Sequence, residues 1–162
     1  MVRKTNRRNG REPEDAWAAA LRLLARRDYG SDELRRRLLD QGFPAEAVEA
    51  AIARGSELGY LDDARHVERL SRAFVATGRA VGPRLAQELR RRGLPENLIR
   101  AALAESGAAG EEEALHSLIA RRFPAFDYAA ADDRERRRVI LFLQRRGFPL
   151  DRILNELKRT DP

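Results

Sequence analysis

Cysteine is absent from the chain, which excludes disulfides, thiolate metal sites and a cysteine nucleophile. Aromatic residues make up only 6 % of it and charged residues 36 %, so any core is small and the solvated surface large. No apolar run approaches the roughly 18–20 residues needed to cross a bilayer. The basic N-terminus, MVRKTNRRNGREPED, is not followed by an apolar stretch, so it does not read as a secretory signal. Lysine is nearly missing too. It occurs only at 4 and 158, which leaves 30 of the 32 basic residues as arginine. The lack of a span and of a signal leads to the expectation of a soluble, cytoplasmic protein, and a monomer is expected.

Enzymatic signatures are equally lacking. There is no GxxxxGK[ST] phosphate loop, no GxGxxG after a strand, no HExxH and no serine in a nucleophile elbow. The two histidines, His66 and His116, have no ligand-like partners by pattern. Asp62 and Asp63 invite a metal reading, but no histidine or third carboxylate is spaced to join them. Catalytic residues, a metal site and a cofactor are therefore not expected.

What the chain does have is repetition. Residues 84–103 read RLAQELRRRGLPENLIRAAL, a helix, a corner at Gly93-Leu94-Pro95 and a second helix. Glycine suits the left-handed end of a helix, and proline the first turn of the next. The pattern recurs at 33–52, ELRRRLLDQGFPAEAVEAAI, and at 136–157, RRRVILFLQRRGFPLDRILNEL. Aligned on Gly42, Gly93 and Gly147, apolar residues precede the glycine at Leu34/Leu38, Leu85/Leu89 and Val139/Leu143. Others follow it at Val48/Ile52, Ile99/Leu103 and Ile153/Leu157. Phe43-Pro44, Leu94-Pro95 and Phe148-Pro149 complete the corners. Units of this size bury too little surface to stand alone, so stacking is expected.

The expected organisation is all-α: three tandem three-helix, helix-turn-helix-like repeats in an extended, curved array. Residues 1–13 read as a disordered basic arm. Repeat one spans 14–61 and repeat two 62–106. Residues 107–110 form a linker, and repeat three covers 111–159. The first helix is expected over 14–27, with Trp17 in the core, and Ser31 as the cap of the next. Gly59, Tyr60, Leu61, Asp62 and Asp63 read as the structural joint between repeats one and two. In it Gly59 stops a helix, Tyr60 and Leu61 are buried, and Asp62 caps. Gly82-Pro83 belongs to a connector, and the eighth helix runs to Arg146. The aromatic-rich loop 123–131 either packs the third unit or forms an exposed contact, and packing is the favoured reading.

With a net charge of +6, the chain suits an anionic partner, although 26 acidic residues are interspersed. Arginine runs recur on the first helix of each hairpin, at 35–37, 90–92, 136–138 and 145–146. Cations near a helix C-terminus are favoured by the macrodipole, so each run has a purely structural explanation as well. The helix that would enter a DNA groove, AEAVEAAI or ENLIRAAL, carries almost no base-reading side chains, which argues against sequence-specific DNA recognition.

LLARRDYGSDELRRRLLDQGF, LGYLDD, LAQELRRRGL and FLQRRGF resemble the RecX family of bacterial recombination regulators over about residues 16–158. The GYLDD joint at 59–63 is the most specific part. The resemblance implies three tandem three-helix repeats curved into an extended shape. It also implies binding to the RecA recombinase filament, with suppression of its ATPase, coprotease and strand-exchange activities. Single- or double-stranded DNA is a second possible partner; catalysis, metals and membranes are not implied. His66 stands where the family usually has an aromatic, and Arg79 and Gly82 stand in for part of a basic, glycine-bounded segment. The candidate contacts to the RecA filament or DNA are Arg35, Arg36, Arg79, Arg90, Arg91, Arg136 and Arg145.

Overall fold

A computed structural model describes residues 13–159. The arm expected over 1–13 therefore lies outside the described residues, except for Pro13, which opens the first helix. Nine α-helices and no strand occur among the described residues: α1 (Pro13–Leu24), α2 (Ser31–Asp40), α3 (Ala45–Glu57), α4 (Asp63–Ala76), α5 (Gly82–Arg91), α6 (Glu96–Ser106), α7 (Ala108–Arg122), α8 (Asp133–Gln144) and α9 (Leu150–Arg159). The chain divides into two compact units, Met1–Asp63 with Arg92–Pro95, and Ala64–Arg91 with Glu96–Pro162.

In the first unit α1 packs on α2 and α3. Ala16, Trp17 and Ala20 meet Leu34, Leu38, Val48 and Ile52 in one core, with Leu61 closing it. The small alanines on α1 let the helices approach closely around the single tryptophan. In the second unit α5 packs on α6, and α9 on both α7 and α8. There Leu115, Leu118 and Ile119 meet Val139, Leu143, Ile153 and Leu157. Phe123, Phe126 and Tyr128 from the loop after α7 pack against that core, so the loop is a packing element.

The repeated apolar positions are the ones the fold buries. Leu34, Leu38, Leu85, Leu89, Val139 and Leu143 are fully buried, as are Val48, Ile99 and Ile153. Each such side chain contributes about 1.5–3 kcal/mol through lost apolar hydration. Leu103 alone among the set is only half-buried.

The corner glycines share positive φ, 83° at Gly42, 63° at Gly93 and 99° at Gly147. Gly93 is doubly constrained, because a Cβ there would collide with the backbone of Glu33. Its carbonyl accepts the N–H of Asp32 at 3.1 Å, in the first turn of α2. The third hairpin does the same one repeat later, where the carbonyl of Arg146 accepts the N–H of Val81 just ahead of α5, at 2.9 Å. A hairpin corner thus meets the start of the preceding repeat's middle helix in both cases.

Several expectations are corrected. α1 ends at Leu24 rather than Arg27, because the chain must turn so that Tyr29 is buried and Arg27 reaches Glu33. Ser31 does not cap α2; Gly30 holds the cap position without a side-chain bond, and Ser31 is the first helical residue. Tyr60 is 58 % exposed rather than buried. Its backbone is pulled into the closing turn, where its N–H donates to the Gly55 carbonyl, while its ring projects outward. The 107–110 linker shrinks to Gly107, since α7 already begins at Ala108, where two alanines favour helix. Gly82-Pro83 belongs to the first turn of α5 rather than to a connector, and α8 stops at Gln144.

Candidate functional site

The candidate arginines divide by what holds them. Arg35 bonds Asp32 on its own helix and Glu49 on α3, the latter at 2.6 Å, so it ties α2 to α3. Its guanidinium pKa is raised above the ordinary value, chiefly by that Glu49 bond. Arg36 is exposed, with Nε 3.3 Å from the carbonyl of Asp32. Arg136 is structural in a different way. It donates to the carbonyls of Tyr128 and Ala129 at 2.9 and 3.1 Å, and lies over the Tyr128 ring, so it anchors the loop after α7.

The others point outward. Arg90 pairs with Glu96 across the second hairpin corner at 2.6 Å, with both partners about half exposed. Arg91 lies 3.6 Å from Glu88 and is 68 % exposed. Arg79 sits with its guanidinium 5.3 Å from the Phe74 ring centroid. Arg145, just past α8, is exposed and lines a groove with Arg122, Phe123, Arg138 and Phe142. The candidates thus lie on α2, on α5 and the connector before it, and on α8 and the residue that follows it. Arg122 was outside the candidate set because it closes α7, a helix whose sequence carries no share of the repeated hairpin.

The joint at 59–63 closes the first unit. Gly59 has φ 73°, and the N–H groups of both Tyr60 and Leu61 donate to the carbonyl of Gly55 at 2.9 and 3.0 Å. Leu61 enters the core, and the Tyr60 ring lies 6.1 Å from Trp17. Asp63 reaches back to α2, its Oδ1 accepting the N–H of Ser31 at 2.9 Å. Nearby, Arg27 bonds Glu33 at 2.5 Å while stacking 3.8 Å from the Tyr29 centroid.

His116 is not isolated, as its sequence context suggested. Its Nδ1 lies 2.7 Å from Oε1 of the buried Glu156, forty residues away on α9. That distance in sequence hides the pair from any local pattern. His66 is buried on α4. No group of three or more His, Cys, Asp or Glu residues is placed to hold a metal ion among the described residues. No described helix is long and apolar enough to cross a membrane.

Comparison with known proteins places this geometry in context. Residues 16–54 match the first three-helix domain of RecX, and residues 110–155 match the third. The chain is 49 % identical to "Regulatory protein RecX" of Trichlorobacter lovleyi over 88 % of its length and 93 % of that protein's. It is 43 % identical to the protein of the same name from Syntrophotalea carbinolica, over 83 % and 88 %. The crystal structure of RecX from Lactobacillus salivarius superposes with a TM-score of 0.72 at 19 % identity, covering 91 % of this chain and 97 % of that one, which supports the fold.

Proposed function

The chain belongs to the RecX family, and from that membership we propose that it binds the RecA nucleoprotein filament and lowers its ATPase, coprotease and strand-exchange activities. The observation that carries the reading is the recurrence of outward-facing arginines on the middle helix of successive repeats, or one residue beyond it. These are Arg36 on α2, Arg90 and Arg91 on α5, and Arg145 after α8. Their guanidinium forks match carboxylate and phosphate alike. The Arg90–Glu96 pair, both members about half exposed, is solvated enough to exchange for a partner's acid, and Arg91 is itself largely exposed. Its relatives are named as regulatory proteins, and the protein acts here as a regulator rather than an enzyme, without a cofactor and as a monomer.

Direct, sequence-nonspecific binding to single- or double-stranded DNA is the second reading, favoured by the arginine excess and net charge of +6. Titrating the protein into the DNA-dependent ATPase of RecA at low and moderate salt separates the two. The proposed function predicts inhibition well below one molecule per RecA subunit, surviving moderate salt. Inhibition only near stoichiometry, abolished by salt and relieved by added DNA, would instead mark competition for phosphate. Arg90→Glu with Arg91→Glu should weaken inhibition while leaving helical content unchanged; undiminished inhibition removes those two residues from the site.

A further inference from the structure

Within the second unit, Arg122, Phe123, Arg138, Phe142 and Arg145 line an open groove of about 330 Å³. Arg138, Phe142 and Arg145 are spaced i, i+4, i+7, so they form one stripe along α8 and its C-cap, where Arg145 keeps helical dihedrals. Arg122 and Phe123 come from the end of α7. The floor is apolar, with the two rings T-shaped at 5.1 Å between centroids. The rim is cationic.

Like Arg36, the rim arginines have no carboxylate partner among the described residues, but here three of them converge on one groove. Arg35, Arg90, Arg91 and Arg136 all lie beside carboxylates. Arg122, Arg138 and Arg145 make no ion pair among the described residues. The pKa of their neighbour Arg146 is pushed below the ordinary arginine value, first by burial, then by the charges of Arg145 and Arg122. Three like charges held around an apolar floor repel one another, and an anion seated there relieves that repulsion.

The chemistry of the floor narrows the kind of anion. The Arg146 guanidinium lies 3.5 Å from the Phe142 centroid and is fixed there by a bond to the Phe142 carbonyl at 2.9 Å. The Arg146 cation covers one face of Phe142, and in the T-shaped pair the edge of one ring closes a face of the other. Nucleobase binding relies on open aromatic faces. Here the two rings stand edge to face rather than as parallel platforms for successive bases, and the apolar concavity they floor suits an aliphatic or aromatic side chain. Arg138 and Arg145 are seven residues apart, about 10 Å along the helix axis, a separation that two turns of a partner helix also span.

We propose that this groove docks an acidic protein segment, whose bulky apolar side chain seats on Phe123 and Phe142 while flanking carboxylates reach Arg122, Arg138 and Arg145. The inference concerns the class of ligand and stands apart from the identity of the filament partner above. A helical segment with two acids about two turns apart and a leucine or phenylalanine between them meets the requirement.

The test is to pan a random peptide library displayed on phage against the full chain, and against the variant carrying Arg138→Glu and Arg145→Glu. Both reversals are on exposed side chains, and matching circular dichroism melts confirm that the variant is folded. The expected pool is enriched in Asp and Glu around Leu or Phe. Peptides synthesised from it should bind the variant at least about tenfold more weakly, equivalent to about 1.4 kcal/mol. Arg122→Glu alone should give a smaller loss. A pool without acidic enrichment, or equal binding to both proteins, overturns the proposal. Discrimination by labelled oligodeoxythymidylate but by no peptide also overturns it, and makes the groove a phosphate site. RecA inhibition is not a readout here, so failure of the filament reading and failure of this one remain distinguishable.

Discussion

The carboxylate of Asp63 accepts the backbone N–H of Ser31 at 2.9 Å, thirty-two residues earlier in the chain. A helix start leaves its first N–H groups unsatisfied, and the Gly30 cap position supplies no side chain to α2. Asp63 takes one of those donors and the carbonyl of Gly93 takes the next, that of Asp32. The negative charge of Asp63 also complements the positive end of the α2 dipole. Two segments distant in sequence thus do the work that a local serine or aspartate does at most helix starts.

Removing that cap should cost stability without touching the core. Asp63→Ala is expected to lower the unfolding free energy by about 1 kcal/mol, the usual worth of an N-cap acceptor. Asp63→Asn keeps an acceptor at the same place and should lose less. Urea denaturation of the three proteins decides it: equal midpoints would mean that the bond contributes nothing.

A second comparison isolates the docking of the Gly93 corner from simple backbone strain. Gly59 and Gly93 both have positive φ, but a Cβ on Gly59 meets nothing within 4 Å while one on Gly93 collides with Glu33. Gly59→Ala should therefore cost only the left-handed penalty, about 1–2 kcal/mol. Gly93→Ala adds overpacking to it and should reach about 2–5 kcal/mol. Equal losses for the two would show that the corner can back away from α2 freely.

These cases also show how far the sequence could be read. The hairpins were legible because Leu34/Leu38 and their counterparts keep helical spacing around a glycine and a proline, and periodicity of that kind is local. The eighth helix offers Asp132 or Asp133 as its cap by local pattern, and Asp132 is the one that accepts the N–H of Glu135, at 2.7 Å. The partners of Ser31 and His116 were not legible, because Asp63 and Glu156 are brought to them only by tertiary folding. The linker at 107–110 misled for a different reason. Its glycines read as flexible, yet a helix whose later turns bury Leu115 and Leu118 extends back over Gly110 to Ala108. The arginine candidates were found by recurrence, which marks a helix position but not whether a carboxylate waits opposite it.

Arg136 and Arg91 should separate accordingly. Arg136 donates to two loop carbonyls, each bond contributing about 0.5–1.5 kcal/mol, so Arg136→Ala is expected to cost about 1–2 kcal/mol. Limited proteolysis should then cut the 123–131 loop faster than in the unaltered protein. Arg91→Ala, on the solvated face of α5, should stay within about 0.5 kcal/mol. An unchanged cleavage rate and midpoint for Arg136→Ala would return that residue to the set of candidate contacts.

The acid side of the stability profile should carry the signature of Glu33. Burial works to raise its carboxyl pKa, but hydrogen bonds and charge from Arg27, then Arg37, outweigh burial and hold it below the ordinary value of 4.5. A carboxyl depressed by folding contributes stability that is complete above the unfolded value and is lost as pH falls through the folded one. Glu33→Gln should therefore be less stable than the unaltered protein at neutral pH. The gap should narrow once pH drops below about 4.5, as the wild-type carboxylate takes up its proton. Urea midpoints for both proteins from about pH 7 down to about pH 3 test this directly. A gap that stays constant across that range would mean that the Arg27–Glu33 bond adds no pH-linked stability, and that Arg27 is held at Tyr29 by stacking alone.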